Sequence, residues 1–85
     1  MQRFIHKVND PVGIHARPAG LLVKEVQSLS SNVSVVFGSK KADAKRLFAI
    51  MGLGIKQNDI VTFELEGTNE ASDCEQLKKF CENNL

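Results

Sequence analysis

The chain has 85 residues and a formal net charge of +1, from eleven lysine and arginine side chains against ten aspartate and glutamate side chains. This length fits one domain, residues 1–85, and the thin core of so small a domain favours a shallow surface site over a deep catalytic cavity. The near-neutral charge argues against a general nucleic-acid-binding surface or a polybasic membrane surface. The first residues do not resemble a signal peptide, and no apolar run approaches the roughly 20 residues that span a bilayer, so we expect a cytoplasmic protein.

The amino-terminal part predicts a strand, a turn and a helix. Period-two alternation predicts a strand from Arg3 to Val8, in which His6 shares one face with Phe4 and Val8. The sequence Asp-Pro-Val-Gly at 10–13 is typical of a turn. Pro18 fits the first turn of a helix, where its missing N–H costs no hydrogen bond, and this helix should end between Ser28 and Ser31. Its buried stripe would be formed by Ala19, Leu22, Val23 and Val26.

The middle of the chain predicts a hairpin followed by a short helix. A strand from Asn32 to Phe37, a two-residue turn at Gly38-Ser39 and a strand from Lys40 to Ala44 form the hairpin. A short helix from Lys45 to Leu53 follows, and the glycines after it bring it to an end. Phe48 would be available to solvent. The inward-facing side chains would be Leu47, Ile50 and Met51.

The last third predicts a strand and a helix. The helix runs from Asn69 to Asn84, with Ser72 and Glu75 as its capping pair. Cys74 and Cys81 lie about 10 Å apart along its axis, which is too far for a disulfide and favours two thiols on one apolar face. The order β-α-β-β-α-β-α predicts an α+β open-faced sandwich, a four-stranded antiparallel sheet with three helices on one face. The alternating side chains of the fourth strand are Val61, Phe63 and Leu65.

The segment Gly-Ile-His-Ala-Arg-Pro-Ala-Gly at 13–20 carries the clearest functional signal. It places His15 at the mouth of the first helix, and much of an ordinary imidazole is neutral and nucleophilic at cellular pH. Arg17 stays protonated and presents a planar fork of donors suited to phosphate oxygens. Helix amino termini attract anions through unpaired N–H groups. Together these features indicate a histidine that accepts and releases a phosphoryl group.

The chain resembles the histidine-containing phosphocarrier (HPr) family of the bacterial sugar phosphotransferase system over essentially its whole length. The resemblance rests on the segment at 13–20, on the run Lys-Arg-Leu-Phe-Ala-Ile-Met-Gly-Leu-Gly at 45–54, and on Asp-Ile-Val-Thr at 59–62. It implies a monomeric carrier without metal or cofactor, and not an enzyme. The carrier would take a phosphoryl group from enzyme I and pass it to sugar-specific enzyme IIA domains.

The resemblance also implies roles for individual residues. His15 would accept the phosphoryl group on its Nδ1 atom, and Arg17 would hold the phosphoryl oxygens. A docking surface for the two partners would include Phe48 as its apolar anchor. The docking residues implied are Ala16, Gly20, Lys24, Lys45, Leu47, Phe48 and Met51.

The sequence departs from the family pattern at a regulatory position. Many relatives from low-GC Gram-positive bacteria carry a serine before the second helix, which a kinase phosphorylates; here the position holds Arg46. Arginine has no hydroxyl and carries the charge opposite to phosphoserine, so we expect this switch to be absent. Ser39 is the nearest serine, and a turn role is favoured for it. Val12 stands where relatives often have a small polar residue able to cap the first helix.

Other interpretations stay open at this stage. An HPr-like regulatory or dedicated paralogue could keep the fold and act only as a binding module. Catalysis by the chain alone is weakest, because no second general acid, metal set or phosphate-binding glycine motif accompanies His15. His6 lies between apolar residues, which favours a structural, partly buried imidazole over a site. The lysines and arginines at positions 40–46 form a solvated strip first and a patch for acidic partners second.

Overall fold

Seven elements follow one another in the predicted order. The computed structural model describes all 85 residues. The elements are β1 (Gln2–Lys7), α1 (Ala16–Gln27), β2 (Asn32–Phe37), β3 (Lys40–Asp43), α2 (Leu47–Met51), β4 (Ile60–Glu66) and α3 (Glu70–Asn84). The predicted first and third strands differ from β1 and β3 by a single residue at their ends. The predicted turn at Gly38-Ser39 is present, with a positive φ angle at Gly38 (60°), and a further turn before β4 has a positive φ angle at Asn58 (72°).

The four strands form one antiparallel sheet in the order β1-β4-β2-β3. Side chains alternate between the buried face, which the helices cover, and an open face. On the open face Glu64 of β4 forms ion pairs with Arg3 of β1 (Nε–Oε2, 3.0 Å) and Lys41 of β3 (Nζ–Oε1, 3.2 Å). The predicted α+β open-faced sandwich is confirmed.

The core lies between the sheet and the helices. The rings of Phe4 and Phe63 stack there with centroids 5.0 Å apart, while α1 contributes the predicted stripe, with Val23 only partly buried. Cys74 and Cys81 are free thiols buried on α3. Burial raises the pKa of the Cys74 thiol, and it raises the pKa of Cys81 to about 12. The prediction of two packed thiols is therefore confirmed.

Helix α2 is shorter than predicted at both ends. The backbone N–H groups of Lys45 and Arg46 donate to Asp43, to Oδ1 at 2.9 Å and to the carbonyl oxygen at 3.0 Å, and so form a turn. Gly52 is the C-cap, and the N–H of Leu53 donates to the carbonyl of Ile50 at 3.1 Å. The prediction of a helix over Lys45–Leu53 was wrong at its margins, because these turns satisfy the backbone groups that additional helical residues would have used.

The predicted Ser72–Glu75 capping pair is not formed. Helix α3 begins within one residue of its predicted start, with Asn69 as N-cap, and the Ser72 hydroxyl donates to the Asn69 carbonyl at 3.1 Å. Glu70 closes this end of the helix instead, since its Oε2 accepts the N–H of Gly67 at 3.0 Å. Ser72 thus lies inside the helix and not at its capping position, which is why the Ser72–Glu75 pair cannot form the cap.

Candidate functional site

His15 is the N-cap of α1. Its backbone is extended (φ −108°, ψ −166°), and its side chain forms no capping hydrogen bond. Its carbonyl oxygen accepts the N–H of Ala19 at 2.9 Å, which is the first hydrogen bond of the helix. The imidazole is partly exposed. His15 thus lies at the amino terminus of α1, as predicted, and its imidazole is not used in a capping hydrogen bond.

Three successive backbone donors at this helix end have no partner in the protein. They are the N–H groups of His15, Ala16 and Arg17, and Pro18, which comes next, has no N–H. No acidic side chain lies in the first turn of α1. Unpaired donors and the helix dipole therefore favour an anion beside the imidazole.

Arg17 is exposed and takes part in none of the ion pairs of the molecule. Its guanidinium is consequently free to meet an anion that arrives from solvent. The structure also contains no pocket around these groups. The first turn of α1 offers a nucleophile, a cation and free donors on an open surface.

The segment before α1, residues 10–14, will be called the anchor loop, because it is fixed to the segment after α2. The N–H of Ile14 donates to the carbonyl oxygen of Ile55 at 3.1 Å. At Gly13, φ is +78°, and a Cβ there would overlap that same carbonyl oxygen. The residue before His15 is therefore held by a hydrogen bond to the segment that connects α2 and β4.

Helix α2 presents an aromatic side chain to solvent. Phe48 is 82% exposed, as its offset from the inward positions predicted. Ile50 is buried, whereas Leu47 and Met51 are only partly buried against the core and keep some accessible surface. Helices α1 and α2 pack against each other. The structure thus places an apolar surface on the helix next to the one that carries His15.

Sequence reasoning missed one exposed side chain on α1. Leu21 is 45% exposed and has the i, i+3, i+4, i+7 relationship with Arg17, Gly20 and Lys24. The signal was available, because this spacing is the complement of the buried stripe of the same helix. The exposed face of α1 is therefore part apolar as well as basic.

The remaining predicted residues are distributed as follows. Ala16 and Lys24 on α1 are exposed, and so are Lys45 and Arg46 in the turn before α2. Ser39 is exposed in the β2–β3 turn. His6 is partly buried, and its Nε2 atom is buried without a hydrogen-bond partner.

No group of three or more histidine, cysteine, aspartate or glutamate side chains is arranged to hold a metal ion, and none of the helices is long and apolar enough to cross a membrane.

Comparison with known proteins agrees with this geometry. The model of the family described as "PTS HPr component phosphorylation site" matches residues 3–83. The chain belongs to the HPr family. Members are phosphocarrier proteins of the phosphotransferase system and not enzymes.

Individual HPr proteins match over most of their length. HPr of Buchnera aphidicola subsp. Baizongia pistaciae is 40% identical over 74 residues, 87% of each chain. HPr of Mycoplasma pneumoniae is 40% identical over 83 residues, covering 96% of this chain and 94% of its own. The crystal structure of HPr-C-His from Thermoanaerobacter tengcongensis superposes with a TM-score of 0.92 at 32% identity, over 99% of this chain and 94% of that one. The HPr fold therefore extends across the whole sandwich.

Proposed function

We propose that His15 accepts a phosphoryl group from phospho-enzyme I and passes it to sugar-specific enzyme IIA domains. The observation that carries this proposal is the first turn of α1. There the His15 imidazole makes no capping hydrogen bond and lies next to three unpaired N–H groups and an unpaired arginine. Membership of the HPr family supplies the class of reaction. We place this relay in the cytoplasm and assign it to one domain, residues 1–85, acting as a monomer without metal or cofactor.

The chemistry requires one bond to form and one to break in each transfer. The lone pair of neutral Nδ1 of His15 attacks phosphorus and forms an N–P bond, while the bond from phosphorus to enzyme I breaks and its electron pair stays with enzyme I. In the second transfer a nucleophile on the IIA domain takes the phosphoryl group and the N–P electron pair returns to His15. Such transfers depend chiefly on positioning and on stabilising charge over the phosphoryl oxygens.

Arg17 and the free N–H groups supply that charge stabilisation. A guanidinium offers two parallel donors to phosphoryl oxygens, and the helix end adds backbone donors. These groups stand on an open surface and not in a closed cage. Moderate stabilisation suits a carrier, because the phosphoryl group must also leave.

The same face of α1 and α2 would dock both partners. Phe48 is the anchor, since it is the most exposed large apolar side chain of the molecule, and exposed aromatic residues dominate the binding energy of many interfaces. Leu21 extends the predicted surface on α1. The other docking residues proposed are Ala16, Gly20, Lys24, Lys45, Leu47 and Met51.

We further propose that this carrier lacks regulation by a serine before α2. Arg46 occupies the N-cap of α2 with its side chain uninvolved in capping, and it offers no hydroxyl for a kinase. Ser39, the nearest serine, belongs to the tight β2–β3 turn. Incubation with an HPr kinase and ATP should therefore leave the chain without phosphoserine.

Phosphorylation by enzyme I tests the main proposal. With phosphoenolpyruvate, magnesium and enzyme I, the native chain should gain one acid-labile, alkali-stable phosphate, and the His15→Ala variant should gain none. His6→Gln is the matched control, because it removes the other histidine and should leave labelling intact. A native chain that enzyme I does not label would instead favour a binding module that has kept the fold and lost the relay.

A further inference from the structure

We propose that the anchor loop is a positioning device for His15, with Gly13 as the residue that allows it to lock against the backbone at Ile55. This inference rests on the proposed role of His15 as phosphoacceptor. It assigns to Gly13, and to Asp10 at the start of the loop, an effect on the rate of transfer that acts through the position of the His15 backbone.

The hydrogen bonds of the loop stop directly before the reactive residue. The N–H of Val12 donates to Asp10 Oδ1 at 2.9 Å, that of Gly13 donates to the Asp10 carbonyl at 2.9 Å, and that of Ile14 donates to the Ile55 carbonyl at 3.1 Å. The next three N–H groups, from His15 onward, have no partner. The backbone of the loop is therefore held by hydrogen bonds up to Ile14, and the unpaired donors begin at the next residue.

Gly13 is required by close approach as well as by its dihedral angle. A Cβ at this position would overlap the carbonyl oxygen of Ile55 and lie 2.7 Å from the Cα of Lys56, where both neighbours are backbone. Backbone cannot move aside as the end of a flexible side chain can. With φ at +78°, an L side chain is also strained. Any substitution at Gly13 must therefore displace the anchor loop from Ile55.

The segment that receives the loop is itself fixed on both sides. The N–H of Gly54 donates to the carbonyl of Met51 at 3.3 Å, and the N–H of Lys56 donates to Asp59 Oδ2 at 2.8 Å. Ile14 and Ile55 are both buried. Because Met51 is the last residue of α2, these hydrogen bonds connect the backbone before His15 to the helix that carries Phe48.

This arrangement matters because a partner that docks on α2 must find the imidazole at a fixed distance from the docking site. A displacement of about 1 Å in a reacting group can cost on the order of 100-fold in rate. The proposed apolar anchor Phe48 lies on α2, outside the anchor loop. Loss of the anchor should therefore lower the rate of transfer and leave partner affinity intact.

The variant Gly13→Ala tests this expectation against Gly38→Ala. Gly38 also has positive φ, at +60°, but a Cβ there meets nothing within 4 Å, so the control carries the dihedral strain without the overlap. With enzyme I, Gly13→Ala should lose at least about tenfold in kcat while its KM stays within about twofold. Gly38→Ala should keep both. A folded Gly13→Ala protein with native kcat, or an equal loss in both variants, would overturn the proposal.

A second pair of variants decides the matter even where Gly13→Ala does not fold. Asp10→Ala removes the acceptor for the Val12 N–H without introducing a clash, and Asp10→Asn restores an acceptor at the same place. We expect kcat to fall about threefold in Asp10→Ala and to recover in Asp10→Asn. Equal rates in Asp10→Ala and the native chain, or no recovery in Asp10→Asn, would contradict a positioning role.

The backbone amide signals of His15, Ala16 and Arg17 provide a readout that does not depend on phosphorylation. In proton–nitrogen NMR spectra these signals should shift in Gly13→Ala and Asp10→Ala, and should stay at native positions in Gly38→Ala and Asp10→Asn. If His15→Ala were still labelled, the proposed function would fail while these shifts still showed whether the loop positions residue 15. Unshifted amides in the Gly13→Ala protein would refute the positioning role by itself.

Discussion

Ser31 donates two hydrogen bonds to a single oxygen of Asp73, from its hydroxyl at 2.6 Å and from its backbone N–H at 3.0 Å. The Ser30 hydroxyl donates to the same oxygen at 3.2 Å. Both Asp73 and Ser31 are buried, so these bonds fasten the first turn of α3 to the connection between α1 and β2. Removal of the carboxylate would leave buried donors without partners.

We therefore predict that Asp73→Ala lowers the free energy of unfolding by about 1–3 kcal/mol, the usual cost of leaving buried donors unsatisfied. Urea unfolding followed by circular dichroism measures the change. Glu75→Ala is the matched control, because it removes an exposed carboxylate from the same helix and should change stability by less than about 0.5 kcal/mol. Equal losses in the two variants would show that the Ser31 contacts contribute nothing.

The same carboxylate makes stability depend on pH. The Ser31 hydroxyl hydrogen bond, opposed by burial and aided by the other donors, lowers the pKa of Asp73 from its ordinary value. A lowered folded-state pKa stabilises the fold above the unfolded value of about 4, and this contribution is lost as pH falls through the folded-state value. The unfolding free energy of the native chain should thus drop more between pH 6 and pH 3 than that of Asp73→Asn. Parallel profiles would contradict this assignment.

Arg17→Ala should slow phosphoryl transfer from enzyme I by about 10- to 100-fold, since one charge-stabilising donor set disappears from the transition state. The fold should survive, because the side chain is exposed and unpaired. Arg17→Lys, which keeps the charge and loses the planar fork, should fall between the two. Arg3→Ala serves as control, as Arg3 lies on the open face of the sheet paired to Glu64. Rapid-quench kinetics give the rates, and a native rate for Arg17→Ala would rule out its role.

Phe48→Ala should weaken binding of enzyme I about tenfold, in keeping with the loss of an aromatic anchor. Isothermal titration calorimetry measures the Kd. Ile5 offers a matched control, because it is 70% exposed but lies on β1 and outside the proposed docking surface. Affinity that falls equally for Ile5→Ala, or stays native for Phe48→Ala, would place the interface elsewhere.

The sequence predicted what depends on neighbouring residues and missed what depends on distant ones. Alternation in the strands and the stripe of α1 indicated the element order, and His15 with Arg17 stood within one short motif. The Ser72–Glu75 cap was predicted from local spacing alone, whereas the buried contact that Asp73 makes at this end of the helix is with Ser31, 42 positions away. The overlap at Gly13 depends on Ile55 in the same way. Leu21 was overlooked although its spacing from Arg17 was readable.

The position of β4 in the sheet has a consequence for synthesis of the chain. Strand β4 lies between β1 and β2 and starts only at Ile60. Neither β1 nor β2 can therefore pair with β4 until the ribosome has synthesised residues 60–66. Pairing across such separations is slow and comes late in folding. The anchor loop likewise waits for Ile55. A nascent or truncated chain that ends before Ile60 would therefore contain the whole 13–20 motif while the central strand of the supporting sheet is still missing.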